Sequence, residues 1–195
     1  GMLGYNLGSV FGFAHVPAGL GGLIIGTEPA LIVLVGAVAS RTWPSRTALI
    51  GIAIAFGGTA FLFTPGFDTG SAQAAELLRG GIFLFLAGLA WAIYVVFATP
   101  LIQRYGAFQT TAYSILLSTL PLIALASPQT VATAMAMSPQ SWAGMAYIGL
   151  LSSFLAAITW NYAAGRLPPA ASGAFLYLVP VISVAAGAVF LHEPI

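Results

Sequence analysis

The chain has 195 residues, 59% of them hydrophobic and only 5% charged, with a formal net charge of +1 and a mean hydropathy of +1.00. A soluble domain carries roughly 25% charged residues, so this chain cannot clothe itself in charge, and its natural solvent is lipid. The lack of cysteine excludes disulfides, thiolate metal sites and cysteine nucleophiles, the five basic residues are scattered arginines rather than a tract for nucleic acid, and no charged leader opens the sequence.

A bilayer core of about 30 Å needs about 20 apolar residues at ~1.5 Å each. Breaks in hydrophobicity predict helical segments at 1–14, 18–40, 46–64, 80–100, 107–126, 141–164 and 169–191. The long apolar run 20–39 is unlike the short alternating strands of a membrane barrel. The first segment is too short to span, and the last stops at His192-Glu193-Pro194-Ile195, so both ends read as cuts.

In the first segment Gly4, Gly8 and Gly12 recur every four residues, a spacing that lets helix backbones approach closely. Asn6 is its candidate substrate-binding residue, and His15 falls in the turn that follows. The second segment carries Gly22 and Gly26 at the same spacing, then Glu28-Pro29 near mid-span. A charge there costs about 2.5–3.5 kcal/mol on insertion scales, and such residues face the bundle interior or water. Two roles stand open for Glu28: carrying a proton or recognising a cationic group, or donating a structural hydrogen bond to a neighbouring helix. Pro29 lacks a backbone donor and clashes with the carbonyl four residues earlier, near Ile25. In lipid that carbonyl must find a partner or line a cavity.

Trp43 ends the second span as a belt anchor. The stretch 65–79 is a predicted external linker holding Asp68, Glu76 and Arg79. On the fourth segment Trp91 and Tyr94 lie one turn apart, suited to core packing or to an apolar or cation–π wall. On the sixth, Ser153, Ala157 and Asn161 share a helical face. Ser152 and Ser153 suit interhelical glue, while Asn161 suits glue and substrate binding equally. Trp142, Trp160 and Tyr162 lie in the same segment, Trp142 as a belt anchor. The last segment brings Tyr177 as a further substrate candidate and Pro180, which frees the carbonyl near Leu176. Neither His15 nor His192 has partners at metal-ligand spacing on a helix, so no metal or other cofactor is expected.

Arg41, Arg46, Arg104 and Arg166 fall on alternate connections, while Asp68, Glu76 and Glu193 fall on the others. The arginine side is expected to be cytoplasmic. Residues 17–43 also match 168–194 at an offset of 151, with identities that include Pro17/Pro168, Gly22/Gly173, Pro29/Pro180, Val33/Val184 and Gly36/Gly187. The two segments are an odd number of spans apart and so cross in opposite directions. Paired Gly/Pro-interrupted spans in inverted repeats point to a central binding site in secondary transporters.

Several short motifs carry a resemblance. Ala90-Trp91-Ala92, Trp160-Asn161-Tyr162-Ala163 with Leu167-Pro168, Leu178-Val179-Pro180, Leu191-His192-Glu193-Pro194, Thr27-Glu28-Pro29, and Gly51 with Gly57-Gly58 together resemble the EamA type of the drug/metabolite transporter superfamily. Thr42 stands where the pattern has an acidic residue. The resemblance implies an all-α, polytopic transmembrane helix bundle of two inverted five-helix repeats, here truncated at both ends. It places the end of the first repeat at 1–64, the external linker at 65–79, and the second repeat at 80–195.

The function this implies is a secondary active permease or exporter of small metabolites such as amino acids or drugs. It would work by alternating access in a bacterial inner membrane, driven by a proton gradient or by the solute's own gradient. The helices bearing Pro29 and Pro180 would line a site that includes Glu28, Asn6, Trp91, Tyr94, Asn161 and Tyr177. A passive channel is the alternative, to be separated by trans-stimulated flux. A membrane-embedded enzyme fits less well, because both histidines sit at span ends and the only aspartate lies in a loop. No nucleotide-binding motif occurs, and no feature specifies an oligomeric state.

Overall fold

The computed structural model describes residues 1–63, 72–124, 126–166 and 178–190, and among them every regular element is a helix. The chain divides into two compact units, 1–97 with 169–195, and 98–168. Among the described residues, four helical stretches are long and apolar enough to cross a membrane: Ala18–Ser40, Ala74–Tyr105, Ala107–Ala124 and Pro139–Ala163. Large apolar side chains cover the outside, Val38 being 80% exposed and Phe61 70%. That distribution suits a protein dissolved in hydrocarbon, where helices associate by close packing rather than by escape from water.

In the first unit, α1 (Met2–Phe13) leads through a short turn into α2 (Ala18–Ile25), α3 (Glu28–Ser40) and α4 (Arg46–Phe63). Helix α5 (Ala72–Tyr105) follows, and α10 (Leu178–Phe190) closes the unit. The glycine stripe of α1 lies along α5. A Cβ at Gly4 would stand 3.1 Å from Ala90 Cβ, one at Gly8 2.9 Å from Ala87 Cβ, and one at Gly12 2.5 Å from Leu84 Cγ. The contacts descend along α5 as they ascend along α1, so the two helices are antiparallel. At the end of this seam His15 Nδ1 meets Glu76 Oε2 at 2.6 Å. Val16, Ile24, Ile25 and Leu84 form the buried apolar cluster beside it.

Helix α3 lies on α5 in the opposite sense. Glu28 and Leu31 face Gly88, Gly36 faces Val96, and Leu34, Val35, Val38 and Ala39 share an apolar groove with Ile93 and Phe97. These contacts ascend on both helices, so α3 and α5 run parallel. Arg41, at a left-handed φ of 55°, ends α3, and the Thr42 amide donates to the Ala37 carbonyl at 3.0 Å. Such a turn satisfies carbonyls left open by the helix end.

The predicted second span, 18–40, is two helices. The chain breaks at Gly26-Thr27, where the Thr27 hydroxyl turns back to donate to the Ile24 carbonyl at 2.7 Å. Pro29 lies in the first turn of α3, where a missing amide costs nothing. Proline therefore starts a half-helix here rather than kinking a continuous one. Pro180 lies on α10, and α10 packs against α2.

The second unit holds the end of α5, then α6 (Ala107–Ala124), α7 (Pro128–Ala136), α8 (Pro139–Ala146) and α9 (Ala156–Ala164). A π-helical stretch, Tyr147–Leu155, joins α8 to α9. Gly106, at φ +84°, makes the turn into α6, a conformation glycine adopts without penalty. Ser127 and Ser138 cap α7 and α8, each accepting from the amide three residues on and each followed by proline. Arg166 stacks on Tyr162, 3.6 Å from the ring centroid. A Cβ at Gly165 would stand 3.4 Å from Ile102 Cγ2, so the ends of α9 and α5 that carry Arg166 and Arg104 lie together.

Two boundaries differ from the sequence expectation. Helix α5 already begins at Ala72, inside the predicted linker 65–79, because Ala72, Ala74, Ala75, Leu77 and Leu78 form helix as readily outside the bilayer as within it. A short helix, α7, occupies part of the connection before 141.

Candidate functional site

Glu28 opens α3 at the break in the span, and it is buried to 5% exposure. The site follows from the break at Gly26-Thr27, which places a buried carboxyl at the first residue of α3. A carboxyl at a helix N-terminus also meets the positive end of the helix dipole. Beneath it lies Gly88 of α5, whose missing side chain leaves room for the Glu28 stem.

The walls are aromatic. Tyr5 of α1 packs on Trp91 of α5 with ring centroids 5.2 Å apart and a 45° tilt. Trp91 packs on Tyr94 at 5.3 Å and 35°.

Three polar atoms in this layer are buried without a hydrogen-bond partner among the described residues: Ser9 Oγ, Glu28 Oε1 and Trp91 Nε1. They belong to one neighbourhood. Ser9 follows Gly8, which touches Ala87, while Gly88 follows Ala87 and touches Glu28. Trp91 stands one turn further along α5. An unsatisfied polar group in an apolar interior costs several kcal/mol.

In the second unit, Asn161 of α9 donates through Nδ2 to Thr111 Oγ1 of α6 at 2.7 Å, with both side chains buried. The neighbouring Thr110 Oγ1 is buried without a partner among the described residues. This hydrogen bond fits the glue reading of Asn161.

Residues 78–195 match the EamA-like transporter family. The chain belongs to that family. Among its relatives, a probable terminal-alkyne amino-acid exporter of Streptantibioticus cattleyicolor is 30% identical over 193 residues, 99% of this chain and 63% of that protein. An uncharacterized transporter of Archaeoglobus fulgidus is 26% identical over 161 residues, 83% of this chain and 54% of the relative. The transporter YyaM of Bacillus subtilis is 22% identical over 185 residues, 94% of this chain and 60% of its own length. The chain thus spans less than two thirds of the length of these relatives. No solved structure matches it.

As an EamA-like transporter the protein is an integral membrane protein, and its all-α, polytopic character follows from both the family and the apolar helices. Trp91, Tyr94 and Asn161 fall in the matched region, whereas Glu28, Tyr5 and Ser9 precede it. Of the predicted site residues, Trp91 and Tyr94 pack on one another, and Glu28 lies against Gly88 on the same helix, α5. Asn6 does not join them: it is exposed on α1, on a different face from Tyr5 and Ser9. Tyr177 lies outside the described residues, as do Asp68, Leu167, Pro168, His192 and Glu193. Ser9 and Tyr5 escaped the sequence reading, although their i, i+4 spacing beside the glycine stripe placed them on the buried side of α1.

Among the described residues no group of His, Cys, Asp and Glu could hold a metal ion. The apolar groove between α3 and α5 carries no polar side chain and suits lipid or a neighbouring helix surface rather than a polar solute.

Proposed function

We propose that this protein is a secondary active transporter that exports small metabolites such as amino acids or drugs by alternating access across a bacterial cytoplasmic membrane. The observation that carries the reading is Glu28: a buried carboxyl with an unpartnered oxygen, at the start of a half-helix in a broken span. Discontinuous helices of this kind form mid-membrane solute sites in carriers. The amino-acid exporter of Streptantibioticus cattleyicolor lends support to a metabolite cargo by its name.

Two inverted repeats, one ending near residue 64 and the other starting near residue 80, supply the alternation. The packing of α10, which bears Pro180, on α2 supports that pairing. The connections with Arg41, Arg46, Arg104 and Arg166 face the cytoplasm. Transport is driven by a proton gradient or by the solute's own gradient, with Glu28 as the group that meets a proton or a cationic part of the cargo. The protein performs no covalent chemistry.

Counterflow in proteoliposomes tests this. Vesicles loaded with a mixture of amino acids should accumulate the matching labelled solute, with flux stimulated from the trans side. Glu28→Gln should abolish the stimulation while leaving the protein inserted and folded. Flux without trans-stimulation would instead mark a pore.

A further inference from the structure

We propose that the apolar groove between α3 and α5 binds an acyl chain of an anionic membrane phospholipid, whose phosphate is held at the groove's end by Arg41 and Arg46. Leu34, Val35, Val38 and Ala39 of α3 line the groove with Ile93 and Phe97 of α5, around a volume of about 320 Å³. Val38 is 80% exposed and Phe97 60%, so the groove opens outward. It offers only hydrocarbon, and a group that needs a hydrogen bond finds no partner in it.

Depth suits a lipid tail. From Leu34 to Arg41 the chain rises about 10 Å, which lies inside one leaflet of a hydrocarbon core about 30 Å thick. Trp43 follows the end of α3 and is 91% exposed. An exposed indole settles at the head-group level, and so it sets the mouth of the groove among the phosphates.

Charge selects the head group. Between Glu28 and Asp68 the only charged residues are Arg41 and Arg46, and α5 carries none between Arg79 and Arg104. Arg46 opens α4, which packs against α3. Among the described residues neither arginine forms an ion pair. Basic side chains beside a span attract anionic lipid.

The backbone at Arg41 is a separate observation. Its φ of 55° is left-handed, and among the described residues no other non-glycine has a positive φ. The Arg41 amide donates to the Val38 carbonyl at 3.3 Å, which ties this residue to the wall of the groove. Glycine usually fills such a helix end, because a side chain there is strained. A side chain retained at a strained position points to a use for it.

Native mass spectrometry of the chain in nonionic detergent can count bound lipid. The probes are phosphatidylglycerol and phosphatidylcholine with the same acyl chains. One phosphatidylglycerol should be retained at ~10-fold or more lower concentration than phosphatidylcholine, as two arginines at a membrane surface imply. Arg41→Gly, which suits the backbone, should weaken phosphatidylglycerol by about 5-fold, leave phosphatidylcholine unchanged and keep the fold. Ala39→Phe and Val38→Trp each fill the groove at an exposed position. Whichever keeps the wild-type helix content should lose the retained lipid although both arginines remain. Glycerol phosphate, a head group without chains, should not compete.

Equal retention of the two lipids, or retention of neither, overturns the proposal and leaves the arginines a purely topological role. A phosphatidylglycerol preference that survives the filling variants also overturns it, since attraction to the surface alone would produce that result. A lipid-free dimer dispersed by the filling variants would put a second copy of the chain in the groove and overturn it too.

Discussion

Glu28 of α3 rests on Gly88 of α5: a Cβ at Gly88 would stand 3.3 Å from Glu28 Cγ and 3.3 Å from Leu31 Cδ1. That spacing is tight but leaves room for a small adjustment. Gly88→Ala should therefore keep transport within about 3-fold of wild type, whereas Gly88→Val should lower it by ~10-fold or more through displacement of the carboxyl. Counterflow rates, read beside unchanged melting profiles in detergent, check the pair. Equal activity of both variants would show that the place of Glu28 on α5 does not matter.

The α1–α5 seam depends on missing side chains. At Gly8 a methyl would come within 2.9 Å of both Ala87 Cβ and the Phe83 carbonyl oxygen, and backbone cannot step aside as a side chain can. Gly8→Ala is expected to destabilise by about 1–3 kcal/mol, the usual cost of overpacking. Gly57→Ala is the control, because nothing stands within 4 Å of a Cβ there. Titration with sodium dodecyl sulfate, followed by tryptophan fluorescence, measures the difference.

The buried hydrogen bond from Asn161 to Thr111 joins helices 50 residues apart in sequence. Interhelical hydrogen bonds in membranes average about 0.6 kcal/mol and reach about 1.7. Asn161→Ala and Thr111→Val should each destabilise by roughly that amount, and the double variant should cost less than the sum, since the pair shares one interaction. A structural bond predicts unchanged solute affinity in the Asn161 variant.

The contact of His15 with Glu76 at 2.6 Å ties the end of α1 to the start of α5. The chain has no native cysteine, so engineered thiols report cleanly. His15→Cys with Glu76→Cys should cross-link under mild oxidation, and each single variant should react with an impermeant reagent from outside the cell. Arg41→Cys and Arg166→Cys should react only after the membrane is opened. Labelling of Arg41→Cys and Arg166→Cys from opposite faces would break the inverted pairing.

Much of this was legible in the sequence because lipid imposes simple rules. Segments 18–40, 46–64 and 107–126 needed only apolar length, and the four-residue glycine spacing of α1 foretold the seam with α5. Glu28 stood out because charge in hydrocarbon is costly. Pro29 marked the interruption of the second span, but sequence alone did not show that Gly26-Thr27 would take the break and leave Pro29 at a helix start. The partner of Asn161 was hidden, since Thr111 is an unremarkable residue in a polar stretch of α6 and only the fold brings it near. Ser9 was missed for a related reason: a serine on a membrane helix commonly bonds its own backbone, and its orphaned hydroxyl is visible only in three dimensions. The start of α5 was placed late because helix can outrun the bilayer.

The central claim is that Glu28 faces the solute pathway and is not merely a packed structural carboxyl. A Glu28→Cys variant of the cysteine-free protein, exposed in proteoliposomes to a small charged thiol reagent, tests it most directly. The thiol should react with the reagent from the aqueous phase, as a group on a solute pathway does. A thiol that stays unreactive would contradict the placing of Glu28 on that pathway.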